Sequence, residues 1–287
     1  MTSWHHSRGE LLLGNRPALM GILNVTPDSF SDGGRYDQPD AALAHAIEML
    51  GAGADIIDIG GESTRPGSLP VSAQTECTRI LPVIQGLVQE RPDALISIDT
   101  TKAEVARAAL RAGACIVNDI SGGLWDPEMV PVVREHLAGY VCTHSLDRPA
   151  IMQHDPHYPN VVFDVRRFLE QRKCDLLDHG LEEKRLCFDV GIGFGKTAAH
   201  NLALIRAGAA GGFQGLDRPM LWGLSRKSFI EKTLNRPTPD RLAGGLAAHA
   251  VLLTSLQPQI WRVHDVRASM DFIEIYRALA SPTDRTS

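Results

Sequence analysis

The chain lacks any basic block. Its 29 lysines and arginines are scattered and outnumbered by 34 acids, for a formal net charge of −5, so the electrostatic footprint of a nucleic-acid binder is missing. No uninterrupted apolar run approaches the roughly 18 residues that a membrane span needs. The opening "MTSWHHSRGE" has neither the basic start nor the apolar middle of a secretory leader. A cytoplasmic protein is expected, with no nucleic acid and no membrane as partner. Cysteine is scarce: Cys77, Cys115, Cys142, Cys174 and Cys187 are odd in number and contain no C-x-x-C pair, which indicates neither a disulfide framework nor a zinc site. His144, His154 and His157 also match no metal-ligand spacing.

What is present is apolar sequence in short pieces. Of the 287 residues 44% are apolar, enough to bury a large core. They gather in eight runs: "LMGILNVT", "DIIDIGG", "LISIDTT", "CIVNDISGG", "YVCTHS", "LCFDVGIG", "MLWGLS" and "IWRVHDV". Such unalternated runs suit strands buried on both faces. Between them lie helical patterns such as "DAALAHAIEMLGAGA", "AEVARAALRAGA", "DVRRFLEQRKCDLLDHG" and "DRLAGGLAAHAVLLTSL", the first three ending at a glycine placed to cap the helix. This alternation without a linker predicts an α/β fold, a single (β/α)8 TIM barrel rather than a doubly wound sheet. "LLLGNRPALMG" reads as a short hairpin over the barrel floor. The expected boundaries are 1–16 for an N-terminal tail and hairpin, 17–280 for the barrel and 281–287 for a C-terminal tail.

Every run turns polar at its C-terminal end, and in a parallel barrel these ends open on one face. Asp55, at the start of its run, reads as structural, and Asp58 stands between that role and a place in the site. Asp99 and Asp189 end apolar runs, where an aspartate needs a specific partner, and they read as site carboxylates. Of Asn118 and Asp119, one is expected at the mouth and the other in its loop. "DVGIGFGKT" resembles two phosphate loops and is neither, because Val190 and Lys196 stand where each would need glycine. It reads as a glycine-rich loop that lets backbone approach a flat ligand and carries Phe194 into the mouth. "GLSRKSFI" and "RVHD" put Ser225, Arg226 and Lys227, then Arg262 and His264, at the ends of the seventh and eighth strands, where barrels commonly hold phosphate.

Seven segments in order, "MGILNVTPDSFSDGG", "DIIDIGGESTRPG", "ISIDTTKAEVARAAL", "IVNDISGG", "DVGIGFGK", "GLSRKSFI" and "RVHDV", resemble the successive signatures of the dihydropteroate synthase family. The resemblance implies a homodimeric pterin-binding barrel and a transferase of folate biosynthesis, the target of sulfonamides. Such an enzyme joins 6-hydroxymethyl-7,8-dihydropterin pyrophosphate to p-aminobenzoate and releases pyrophosphate, with Mg²⁺ as cofactor. By matching motif, the pterin would meet Asp99, Asn118, Asp189 and Lys227. Pyrophosphate would meet Asn24, Arg65, Arg262 and His264, with Mg²⁺ at Asn24. The p-aminobenzoate would be bordered by Phe30, Thr64, Pro66, Phe194, Lys227 and Ser228. Asp28, Asp32, Asp99 and Lys227 would be catalytic, and the implied reaction is dissociative: pyrophosphate leaves, the pterin stabilises a CH₂ cation, and the arylamine attacks. The loop "VTPDSFSDGG" would be a lid meeting "ESTRPG" across the mouth.

Three segments depart from the family pattern. In "THSLDRPAIMQ", Thr143 and Ser145 replace methionines that border the pterin, which implies looser packing there; Val190 replaces a usual proline, and Trp222 a smaller residue. Two other readings share the carboxylates and asparagines: a corrinoid-linked methyltransferase of the related pterin-binding barrels, and a noncatalytic pterin-binding barrel. Neither needs a pyrophosphate site, and the joint presence of "STRPG", "SRKS" and "RVHD" favours the synthase.

Overall fold

The structure is a computed structural model that describes residues 2–14, 16–26, 38–63, 67–237 and 241–280. The eight expected runs supply eight parallel strands: β3 (Ala18–Asn24), β4 (Ile56–Gly60), β5 (Leu95–Asp99), β6 (Ile116–Asp119), β7 (Gly139–Thr143), β8 (Leu186–Asp189), β9 (Met220–Trp222) and β10 (Gln259–Val263). They pair in chain order, and β10 returns to β3 to close the barrel. Helices fill the connections: α1 (Gln38–Gly51), α2 (Ala73–Glu90), α3 (Ala103–Ala112), α4 (Met129–Glu135), α5 (Val161–Asp178), α6 (Ala198–Ala209), α7 (Ser228–Leu234), α8 (Leu242–Leu252) and α9 (Val266–Ala280).

Local chemistry sets several of their ends. Ser72 caps α2 by accepting from the Thr75 amide, and Asn160 caps α5 by accepting from Phe163. Thr197 and His200 form a reciprocal capping box on α6. Gly113 ends α3 at φ 117°, a left-handed conformation that a side chain would strain.

Period-2 alternation is concealed in the apolar runs, because both faces of each strand are buried. One set of residues, including Leu19, Ile57, Ile96, Val117, Tyr140, Leu186, Met220 and Trp261, packs with the helices. The alternate set, Ala18, Met20, Ile56, Ile116, Val141, Cys187, Leu221 and Ile260, fills the barrel interior together with Trp4 and Leu13. These last two come from an antiparallel hairpin, β1 (Thr2–His6) and β2 (Gly9–Leu13). Trp4 is fully buried and donates its indole N–H to the Arg185 carbonyl at 2.8 Å, so the hairpin plugs the barrel floor.

The hairpin lies earlier in the chain than "LLLGNRPALMG" suggests. Leu11–Leu13 pair back with residues 2–4, whereas Ala18–Gly21 are held by register with Ile260–Val263 of β10. Asp55 has the structural role expected of it: it clasps the Arg16 guanidinium with both oxygens, at 2.7 and 2.8 Å, and accepts from the Leu19 amide.

Candidate active site

Two residues beyond the apolar interior layer, the same strand faces become polar. Ile56 is followed by Asp58, Ile116 by Asn118, Val141 by Thr143, Cys187 by Asp189 and Ile260 by Arg262. Strand register aligns Asn24, Gly60, Asp99 and Asn118 across four strands, and Thr143 with Asp189 on the next pair. The expected mouth residues therefore converge.

At its centre Arg262 donates from Nε to Asp58 at 2.6 Å and from Nη2 to Asp99 at 2.7 Å. Asn118 donates to the same Asp58 oxygen at 3.0 Å, which orients its amide. Burial raises the pKa of Asp99 and the charge of Asp58 adds to the rise, while Arg262 opposes it. The second oxygens of Asp58 and Asp99 are buried without a hydrogen-bond partner among the described residues, a costly state unless a ligand donor satisfies them. Asp58 thus belongs to the site. The signal for it was parity: it lies one two-residue step from Ile56, on the face that carries Arg262.

Asp189 accepts from the Gly191 amide at 2.8 Å, and burial raises its pKa. Lys227 faces it from the N-cap of α7, with Nζ 4.2 Å from the centre of the Phe194 ring, a cation–π contact. Burial lowers the Lys227 pKa to about 8. Phe194 clusters with Ile120, Met152 and Trp125, so the aromatic does enter the mouth, as part of an apolar wall. Met152 was not anticipated; it brings a methionine to this wall although Thr143 and Ser145 replace two. Ser145 donates to the Asp147 carbonyl at 2.7 Å within its own turn, and the buried Thr143 hydroxyl has no partner among the described residues.

The basic strand ends divide their work. Arg226 turns to Asp265, at 2.5 and 3.1 Å. Ser225 accepts from the His264 amide at 3.3 Å and lies 3.1 Å from its Nδ1. Burial, with Arg226 and Arg262 adding repulsion, lowers the His264 pKa to about 3, so the ring is neutral near pH 7. Arg262, linked by resemblance to pyrophosphate, is here engaged with carboxylates on the side linked to the pterin. Ser228 begins α7 and is exposed.

Asn118 faces the mouth. Asp119 turns away and holds its loop, accepting from the Ser121 and Gly123 amides and the Tyr140 hydroxyl. Glu62 accepts from the Val71 amide at 3.0 Å and from Lys102 at 2.5 Å; Lys102 also reaches the fully buried Glu76 at 2.8 Å. This network ties the connection after β4 to that after β5. Asp28, Phe30, Asp32, Thr64, Arg65 and Pro66 lie outside the described residues.

The arrangement presents carboxylates and an oriented amide for the N–H edge of a flat heterocycle, an apolar wall for its face, and cationic or N–H donors nearby. Residues 20–264 match the model of the pterin binding enzyme family. The dihydropteroate synthase of Synechocystis is 44% identical over 267 residues, covering 93% of this chain and 91% of the relative.

The chain belongs to the dihydropteroate synthase family.

Solved structures of that family superpose closely. The Yersinia pestis dihydropteroate synthase in complex with a sulfonamide drug has a TM-score of 0.89 at 39% identity, covering 98% of this chain and 100% of that one. The Xanthomonas albilineans enzyme with 4-aminobenzoic acid has a TM-score of 0.85 at 40% identity, covering 93% and 94%. The dihydropteroate synthase barrel, with its floor hairpin, is therefore the architecture on which the polar layer sits.

Proposed function

We propose that this chain condenses 6-hydroxymethyl-7,8-dihydropterin pyrophosphate with p-aminobenzoate to 7,8-dihydropteroate and pyrophosphate. The observation that carries this reading is the polar layer itself: Asp58, Asp99, Asn118 and Asp189 face one mouth with Lys227, Arg262 and His264. A pterin edge offers an amide and an amino group, which carboxylates accept from and an asparagine reads in complementary fashion. Asp99 and Asp189 would take that edge, Asn118 would complete it, and Lys227 would move from the Phe194 ring to the pterin as Phe194 takes up the p-aminobenzoate.

Departure of pyrophosphate needs positive charge or donors on the leaving oxygen. Arg262 supplies a fixed cation, and neutral His264 supplies a ring N–H donor, its ring taking up a proton more readily as the anion arrives. Asn24 fits a hard cation in a limited way. Gly60 leaves room beside it, since a Cβ there would stand 3.7 Å from Asn24 Oδ1 and 3.8 Å from Asp99 Oδ2. When bound there, Mg²⁺ would neutralise charge on the phosphates. By resemblance, Arg65 joins the pyrophosphate group, Phe30, Thr64, Pro66 and Ser228 border p-aminobenzoate, and Asp28 and Asp32 stabilise the developing cation. No enzyme nucleophile is required, because positioning and electrostatics suffice.

We place the protein in the cytoplasm as a homodimer. Its five cysteines are all free, and Val251 on α8 with Ile275 and Leu279 on α9 leaves apolar surface exposed for a second copy. Sedimentation at micromolar concentration should give twice the 31.2 kDa chain mass. The decisive test of function is formation of 7,8-dihydropteroate with matching release of pyrophosphate: the product should appear only when both substrates are present. No condensed product from the two substrates together would overturn the reading.

A further inference from the structure

Lys196 takes no part in the chemistry above, yet it is only 3% exposed and has no carboxylate partner among the described residues. Its ammonium has three N–H donors and faces three acceptors: His144 Nδ1 at 2.9 Å, the Phe194 carbonyl at 3.0 Å and the His144 carbonyl at 3.3 Å. With Nδ1 accepting, the proton of the neutral His144 ring belongs on Nε2; that ring is packed edge-on to Phe168, with centroids 4.7 Å apart. The lysine thus spans the end of β7 and the glycine-rich loop after β8. The two segments touch: a Cβ on Gly191 would lie 1.8 Å from the His144 carbonyl and 3.3 Å from Lys196 Nζ. Gly191 in turn donates to Asp189, and Phe194 carries the ring under Lys227. The rest of the loop is held by neutral groups. Asn201 accepts from the Gly193 amide, Gln153 donates to the Gly193 carbonyl, and Tyr158 donates to the Gly195 carbonyl. Lys196 is the one charged tie among these.

We propose that Lys196 is a positioning residue: its ammonium fastens the β8 loop to the end of β7, fixing Phe194 for the arylamine and placing positive charge behind Asp189 for the pterin. The proposal rests on the synthase reading. Burial works against the charge and lowers the Lys196 pKa to about 7, with Asp189 opposing that fall. Asp189 is faced by Lys227 at the start of α7, by Lys196 and the Gly191 amide in its own loop, and by Arg262 on β10, all of which favour its ionised form. Asp99, the other buried carboxylate of the pterin pocket, answers to Arg262, Asp58, Glu76 and Lys227 instead. Removing Lys196 should therefore move one carboxylate and spare the other.

The test uses Lys196→Met, which removes donors and charge, and Lys196→Gln, which keeps a donor and removes the charge. Pterin pyrophosphate affinity is measured by calorimetry from pH 5 to 8, and KM for each substrate at pH 7. In both variants the part of the acid limb that Asp189 sets should move up by about half to one pH unit, the size expected from one nearby charge in a partly shielded site. KM for p-aminobenzoate should rise about fivefold in Lys196→Met and less in Lys196→Gln. A structural role alone would lower the melting temperature and leave both readouts where they were, and that result overturns the proposal. If Lys196→Met does not fold, the Lys196→Gln pH profile decides alone. Wild-type protein that binds no pterin would overturn the synthase reading and this proposal together; normal wild-type binding with unshifted variants would overturn the proposal only.

Discussion

The lower and upper layers of the barrel interior are built from the same strands, two residues apart, and they are stabilised in opposite ways. Below, Met20, Ile56, Ile116, Val141, Cys187, Leu221 and Ile260 close over Trp4 and leave almost nothing to water; burial of apolar area is the favourable quantity. Above, Asp58, Asp99, Asn118, Thr143 and Asp189 are nearly as deeply placed beside a half-buried Arg262, but three polar atoms there (Asp58 Oδ1, Asp99 Oδ1 and Thr143 Oγ1) lack partners among the described residues. The upper layer carries desolvation cost that the lower layer offsets. A site whose donors and acceptors await a ligand is made affordable by a well-packed plug beneath it.

Breaking the Arg262 contacts should have the largest effect. Arg262→Met leaves two buried carboxylates without their cation, and unfolding free energy should fall by about 3–5 kcal/mol. Adding Asp58→Asn should recover part of that loss, which denaturant titration would show. In the lower layer Ile116→Ala should cost about 2–4 kcal/mol of stability while the affinity of the remaining folded protein for pterin stays near wild type. A strong affinity loss there would mean that the layers are not separable.

His264 sharpens the comparison within the upper layer. Its alanine variant should weaken pterin pyrophosphate about tenfold and leave free hydroxymethylpterin unchanged; equal losses would remove it from the pyrophosphate group. His264 also sets a pH trend. Its folded pKa of about 3 lies below the ordinary 6.5, so the unfolded chain binds the proton more readily. The stability contribution is whole above about pH 6.5 and is lost as pH falls toward 3. His6 and His249, each lowered by burial to about 4, and His144, lowered to about 2, act with the same sign. His264→Gln should flatten only part of that acid limb. The smallest effect is expected at Thr143. Thr143→Val removes a buried hydroxyl that has no partner among the described residues, and the ligand-free protein should gain about 1 kcal/mol of stability, read as a higher melting midpoint.

Much of this architecture was legible in the sequence because both-face burial writes strands as unbroken apolar runs, and because each run ends in a polar group. Asp99 and Asp189 were readable on that ground alone, whereas the choice between Asn118 and Asp119 came from the resemblance and from the strand face on which Asn118 lies. Asp58 was less so: it sits inside "DIIDIGG", where parity with Ile56 puts it on the interior face, and its pairing with Arg262, 204 residues away, shows its role. Lys196 and Met152 are legible only in three dimensions, since what defines them is contact between loops that follow different strands. The hairpin shows the same limit from the other side, because "LLLG" marks a strand without saying which neighbour it takes.

The separation of the layers is tested most directly at Asp189. Titrating pterin pyrophosphate into Asp189→Ala, with the melting temperature measured on the same sample, should show a protein that folds with at most a modest loss of stability, because the buried Lys196 and Lys227 lose a favourable carboxylate while the desolvation cost of that carboxylate is also removed. Its affinity should be reduced by about 2–4 kcal/mol, roughly 30- to 1000-fold. A folded variant that binds pterin pyrophosphate as tightly as wild type would contradict the account.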